Sequence, residues 1–105
     1  MRDAMVPVVV SCESENAVAS GDVLLDASAF TSEAMFVVSD PPVGGEILSV
    51  RCGDAVVPGF PRPFTSTMTR IEFEAYCRKG QQIFVDARMP VVGKVHINFL
   101  GQMVE

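Results

Sequence analysis

The chain has 105 residues, 49% hydrophobic and 20% charged, with a net charge of −5. That balance excludes intrinsic disorder, which needs low hydrophobicity and high charge, and argues against nucleic acid as the main partner. One domain is expected over residues 1–105, with a folded surface of roughly 5,700 Å² against roughly 16,000 Å² unfolded, so the core needs neither metal nor disulfide.

In chain order, the start does not read as a signal peptide or a membrane span. Met1 to Val10 has one Arg, one Asp and a short apolar run broken by Pro7, whereas a signal peptide needs a basic start and a longer apolar stretch. No run approaches the ~20 apolar residues of a membrane helix. Val6 to Cys12 reads as a strand, with Pro7 tolerable near its start or at a sheet edge. Glu13 to Gly21 reads as a loop, Val23 to Asp26 as a strand, and Thr31 to Ala34 as the start of a short helical turn that nothing sustains. Ala34 to Ser39 and Glu46 to Cys52 are further strands, separated by the loop Pro41 to Gly45.

Gly53-Asp54 is a two-residue hairpin signal that sets Val50 opposite Val57 and Cys52 opposite Ala55. Val57 to Phe64 holds three prolines, which stiffen the backbone and forbid a central strand. Phe60 and Phe64 flank Arg62 there. The segment reads either as a crossover loop whose rings cap the core or as an arm that packs on a neighbouring subunit, since Phe and Arg are enriched at interface cores.

From Met68 onward the period is two. Ile71, Phe73, Ala75 and Cys77 point one way, with Arg70, Glu72, Glu74 and Tyr76 between them. After a turn at Arg78 to Gln81, Ile83, Val85, Ala87 and Met89 alternate inward, and so do Val95, Ile97 and Phe99. Val91-Val92-Gly93 suits a three-residue hairpin loop, which would pair Met89 with Val95 and set Phe84 beside Leu100 and Arg88 beside His96 on the outside. Seven or eight short strands with frequent turns predict an all-β fold, an antiparallel β-sandwich or jelly roll, with a small closed barrel as the other arrangement.

Little in this pattern carries chemistry. His96 is the only histidine and alternates outward, while Cys52 and Cys77 alternate inward, so parity separates the base from the nucleophiles. Zinc spacing and Ca²⁺-loop spacing are missing, so neither metal nor cofactor is expected. Glu72 and Glu74 share a face but have Arg70 and Arg88 as partners, which favours a solvated charged face over acid–base work. Cys12, Cys52 and Cys77 cannot all pair and have no C-x-x-C spacing. They read as reduced, buried thiols of a protein made in a reducing compartment, with one disulfide and one free thiol as the alternative.

Two features favour assembly. Charged residues fall below the ~25% typical of soluble domains, which leaves apolar area for contacts with other chains. Phe84, Leu100, Met103 and Val104 are candidates, together with Phe60, Arg62 and Phe64. Residues 1–50 hold eight acids and one base, and residues 51–105 hold five acids and seven bases, so the two halves have opposite sign. Subunits that present both halves would attract head to tail.

The hairpin Arg51 to Ala55 and the meander from Gly80 through Val85 to Gly93 and Asn98 resemble small all-β virion proteins of bacteriophages. These are capsid decoration (cement) proteins and jelly-roll accessory proteins. The resemblance spans most of the chain and rests on pattern, with no residue carried over from a motif. It implies a non-enzymatic structural subunit, localised to the virion and assembled in the host cytoplasm. Its partners would be copies of itself and a major coat protein or other virion subunit, with no nucleic acid and no membrane. A stand-alone ligand- or receptor-binding β-sandwich module is the alternative.

Overall fold

The computed structural model describes residues 1–26 and 29–104. Among these the chain forms strands β1 (Arg2–Cys12), β2 (Ala19–Leu24), β3 (Ala29–Asp40), β4 (Gly45–Cys52), β5 (Ala55–Val56), β6 (Arg62–Phe64), β7 (Thr69–Arg78), β8 (Gln82–Arg88) and β9 (Gly93–Val104). They make an antiparallel β-sandwich. One sheet has the order β1-β9-β3-β7; the other has the order β2-β8-β4-β5, with β6 also paired to β4.

The pairings nest around one turn. β4 pairs with β5 and β6, β3 with β7, β2 with β8, and β1 with β9. The chain is therefore a long antiparallel ribbon, folded back at Gly53-Asp54 and rolled until β9 also meets β3 and β8 also meets β4. The fold-back is the hairpin expected from sequence. Cys52 lies opposite Ala55, and the Val57 N–H donates to the Val50 carbonyl at 2.9 Å. Gly53 turns it with φ of 60°, a region in which a side chain is strained.

The second expected hairpin does not form. β8 and β9 belong to different sheets, and residues 89–92 cross between them. Length explains the choice. β9 has 12 residues and finds β1 (11) and β3 (12) on its two sides, whereas β8 has 7 and lies between β2 (6) and β4 (8). Pairing β9 with β8 would leave several residues of the longer strand without ladder partners. The inward parity is nevertheless as read: Ile83, Val85, Ala87, Met89, Val95, Ile97 and Phe99 are all buried. A hairpin and a sheet-to-sheet crossover share that alternation.

Local departures have local causes. β2 begins at Ala19, earlier than expected, because Gly21 is a strand residue and not a loop signal. A Cβ there would overlap the Val9 carbonyl oxygen, so glycine lets β2 close one side of the sandwich against β1. The expected helical turn at Thr31 to Ala34 lies inside β3, where the register shifts between Ser32 and Ala34. The Ser32 hydroxyl is buried at that irregularity and donates to the Leu100 carbonyl at 2.9 Å.

The Pro-rich segment serves the core. β5 and β6 are the two ends of an interrupted strand on the outer edge of β4. Phe64 is 3% exposed. The Phe60 ring packs edge-on against Phe73 at 5.7 Å, and Phe73 against Phe99 at 5.9 Å. Phe64 is thus a core cap, which corrects its assignment to the interface, while Phe60 packs half-buried against the core.

The cysteine reading is also corrected. Cys52 on β4 and Cys77 on β7 form a disulfide with Cα atoms 5.4 Å apart, and Cys12 is free and buried. Both bridged residues point inward, as alternation required. They meet because β7 is the edge of one sheet and passes the end of β4 in the other.

Candidate interaction surface

Strand alternation should give each sheet an apolar inner face and a polar outer one. β1 and β3 break this rule. Met5 to Val10 and Ala34 to Val38 are nearly continuous apolar runs, so each strand also sends apolar side chains outward. The register aligns them. Val9, His96 and Val38 form one row across β1, β9 and β3. Pro7, Asn98, Phe36 and Arg70 form the next, and Met5, Leu100, Ala34 and Glu72 the third.

The three rows cover about 300 Å² of β1, β9 and β3 from strand spacing and rise, with His96 and Asn98 set among the apolar side chains. Met5 is 58% exposed, Val9 46% and Val38 41%. Leu100 and Phe36 are half-buried, and Ala34 is fully covered. His96 lies between the two valines. Arg70 closes one side, its guanidinium 5.8 Å from the centre of the Phe36 ring and its Nε 3.6 Å from the Glu72 carboxylate.

The outer face of the other sheet is built differently. Asp86 accepts from Ser20 at 2.5 Å and from Ser49 at 3.1 Å, which ties β2, β8 and β4 together. Arg88 pairs with Glu46 at 2.8 Å, and Gln82 donates to Asp22 at 2.7 Å. Arg51 lies 4.8 Å above the Phe84 ring. These polar groups satisfy one another across the centre of the face, and its exposed apolar side chains, Leu24 and Val56, stand apart on the edge strands β2 and β5.

Of the candidates named from sequence, Leu100 and Val104 lie on the outer face of the four-stranded sheet. Phe84 is on the opposite side of the molecule, beneath Arg51, so the expected neighbourhood of Phe84 with Leu100 and of Arg88 with His96 does not exist. Met103 points inward, packs against the core and accepts from Arg2 through sulfur at 3.5 Å. Arg62 is exposed and donates to the Glu72 carbonyl at 3.5 Å on the β7 edge. Sequence reasoning missed Met5, Pro7, Val9, Phe36 and Val38. The signal was there in the two apolar runs, because a strand apolar at consecutive positions is covered on both faces.

Other features offer little chemistry. Glu72 is turned toward Arg70, as a solvated charged face would have it. One open depression of about 550 Å³ is lined by Thr31, Ser32, Glu33, Glu74, Ala75 and Tyr76. A second, about 300 Å³, lies by the β1–β2 loop at Ser11, Glu13 and Ser20. Among the described residues no group of three His, Cys, Asp or Glu could hold a metal ion, and no helix is long and apolar enough to cross a membrane. Burial pushes the Cys12 thiol above its ordinary range, and a hydrogen bond with the Met89 backbone partly offsets this. Compared with known proteins, the chain matches no family model, no curated sequence and no solved structure.

Proposed function

We propose that this chain is a non-enzymatic structural subunit that assembles through the outer face of β1, β9 and β3. The observation that carries the reading is the contrast between the two outer faces. One has a hydrogen-bonded polar centre with its exposed apolar side chains apart at the edges, and the other presents apolar side chains aligned in rows across β1, β9 and β3 with an ion pair at the side. Burying that second face removes apolar surface from water, which drives association. Its contacts are individually weak and become strong when repeated across an array.

The resemblance to small virion proteins makes a bacteriophage capsid decoration or accessory virion protein the specific form of the proposal, with a coat subunit as partner. Two features support it. The nested ribbon, wound into two sheets, has the pairing of a jelly roll, an architecture found in viral capsid domains, lectins and cupins. The disulfide suits a protein that works outside the reducing cytosol, as at a virion surface. The test is quantitative mass spectrometry on purified virions of the parent phage. A fixed, repeating copy number per particle is expected. A chain left wholly in the host lysate, with intact virions lacking it, would refute the reading.

A further inference from the structure

We propose that the outer face of the four-stranded sheet docks a second copy of this chain, about a two-fold axis that crosses the sheet along the row of Val6, Phe99, Met35 and Ile71. The inference rests on the assembly reading and specifies its partner and geometry. A two-fold interface must complement itself. Rotation about that axis reverses the strands and lays each strand over its own copy. It places Arg70 over the partner's Glu72 and Glu72 over the partner's Arg70. Phe36 falls over the partner's Ala34, a one-carbon side chain set between Leu100 and Glu72 in its row. Asn98 meets the partner's Leu100, and Pro7 meets the partner's Met5.

Charge favours this axis over one along β9, and it sets the remaining row, Val9, His96 and Val38, over the partner's Asp3, Gln102 and Thr31. An axis along β9 would set Lys94 on the partner's Lys94 and leave Arg70 and Glu72 beyond the facing strands. With the chosen axis no like charges are directly opposed in the central rows, and both charges of the block are answered. Size is sufficient. The lengths over which each strand overlaps its own copy about this row give roughly 600 Å² per copy, so two copies bury roughly 1,200 Å², at the lower end of the range of stable interfaces. Aligned packing of two sheets at about 30° is an ordinary arrangement.

The test uses the full chain and two surface variants, Arg70→Glu and Glu72→Arg, by light scattering behind size-exclusion chromatography across concentration. Both side chains are solvent-exposed, so far-UV circular dichroism should be unchanged. The wild type is expected to dimerise, and each variant alone to dimerise about 10-fold or more weakly, because like charges then meet at both contacts. An equimolar mixture of the two variants should recover dimers, since every crossing pair is again opposite in sign. Repair of the ion pair within one chain cannot produce that recovery. A wild type that stays monomeric overturns this inference while leaving the virion measurement to judge the assembly reading. A dimeric wild type whose variants show no recovery on mixing overturns the axis.

Discussion

Cys52 and Cys77 join the two sheets of the sandwich through a disulfide that closes a separation of 25 residues. The segment it encloses contains the fold-back hairpin, the Pro-rich strap and most of β7. A crosslink of that span restricts the unfolded chain and is worth about 3 kcal/mol. Replacing both cysteines with alanine should lower the unfolding free energy by about that amount, read from urea denaturation. The same shift should appear when the wild type is unfolded with a thiol reductant present. Identical midpoints with and without reductant would mean that the bridge contributes nothing.

The outer and inner faces of β3 differ by one residue step, and Val37 and Val38 separate them. Val38→Lys adds a charge to the exposed patch and should change stability by less than about 0.5 kcal/mol, while weakening self-association. Val37→Lys puts an ammonium group into a fully buried site and should prevent folding. Circular dichroism and light scattering on the pair decide this. Unchanged association in a folded Val38→Lys variant would remove the patch from the interface.

Phe64 and Phe60 support the core to different degrees. Phe64→Ala should cost about 3–5 kcal/mol, the usual loss for a buried phenylalanine. Phe60→Ala should cost less, because its ring is half-buried and gives up mainly the edge contact with Phe73. Denaturant midpoints measure both. A Phe64→Ala variant as stable as the wild type would return this segment to the interface.

Cys12 is buried at the end of β1, and its thiol is held in the protonated form by desolvation. Unfolding returns that thiol to its ordinary range, so above that range the unfolded chain has lost a proton that the folded chain retains. Stability from this residue is therefore full at neutral and acidic pH and falls as pH rises through the thiol range. A Cys12→Ala variant should show a flatter decline on the alkaline side. In the native wild type, an alkylating reagent should label no thiol until the chain opens. Rapid labelling of the folded protein would contradict the burial.

Much of the fold was legible in the sequence because alternation is a local property. Ile71, Phe73, Val85, Ile97 and Phe99 were assigned to the inside from period two alone, and all are buried. The Gly53-Asp54 hairpin was legible because its two residues and its register are neighbours in the chain. The sandwich class follows from the same two signals. The apolar outer face of the four-stranded sheet was half legible. The apolar runs Met5 to Val10 and Ala34 to Val38 announce strands covered on both faces, but nothing local says that they flank the same strand.

Partner choice was decided by the tertiary structure. β9 follows β8 closely in sequence and yet pairs with β1 and β3, because ladder hydrogen bonds are best satisfied between strands of equal length. That choice moved Phe84 and Leu100 to opposite sides of the molecule. It also brought Val9 and Val38 to either side of His96, although 29 positions separate them in the chain. The disulfide has the same origin: alternation put Cys52 and Cys77 inside, and only the packing of one sheet on the other brought them within bonding distance. Local periodicity fixes which way a side chain points, and the competition among distant strands for hydrogen-bond partners fixes what it meets.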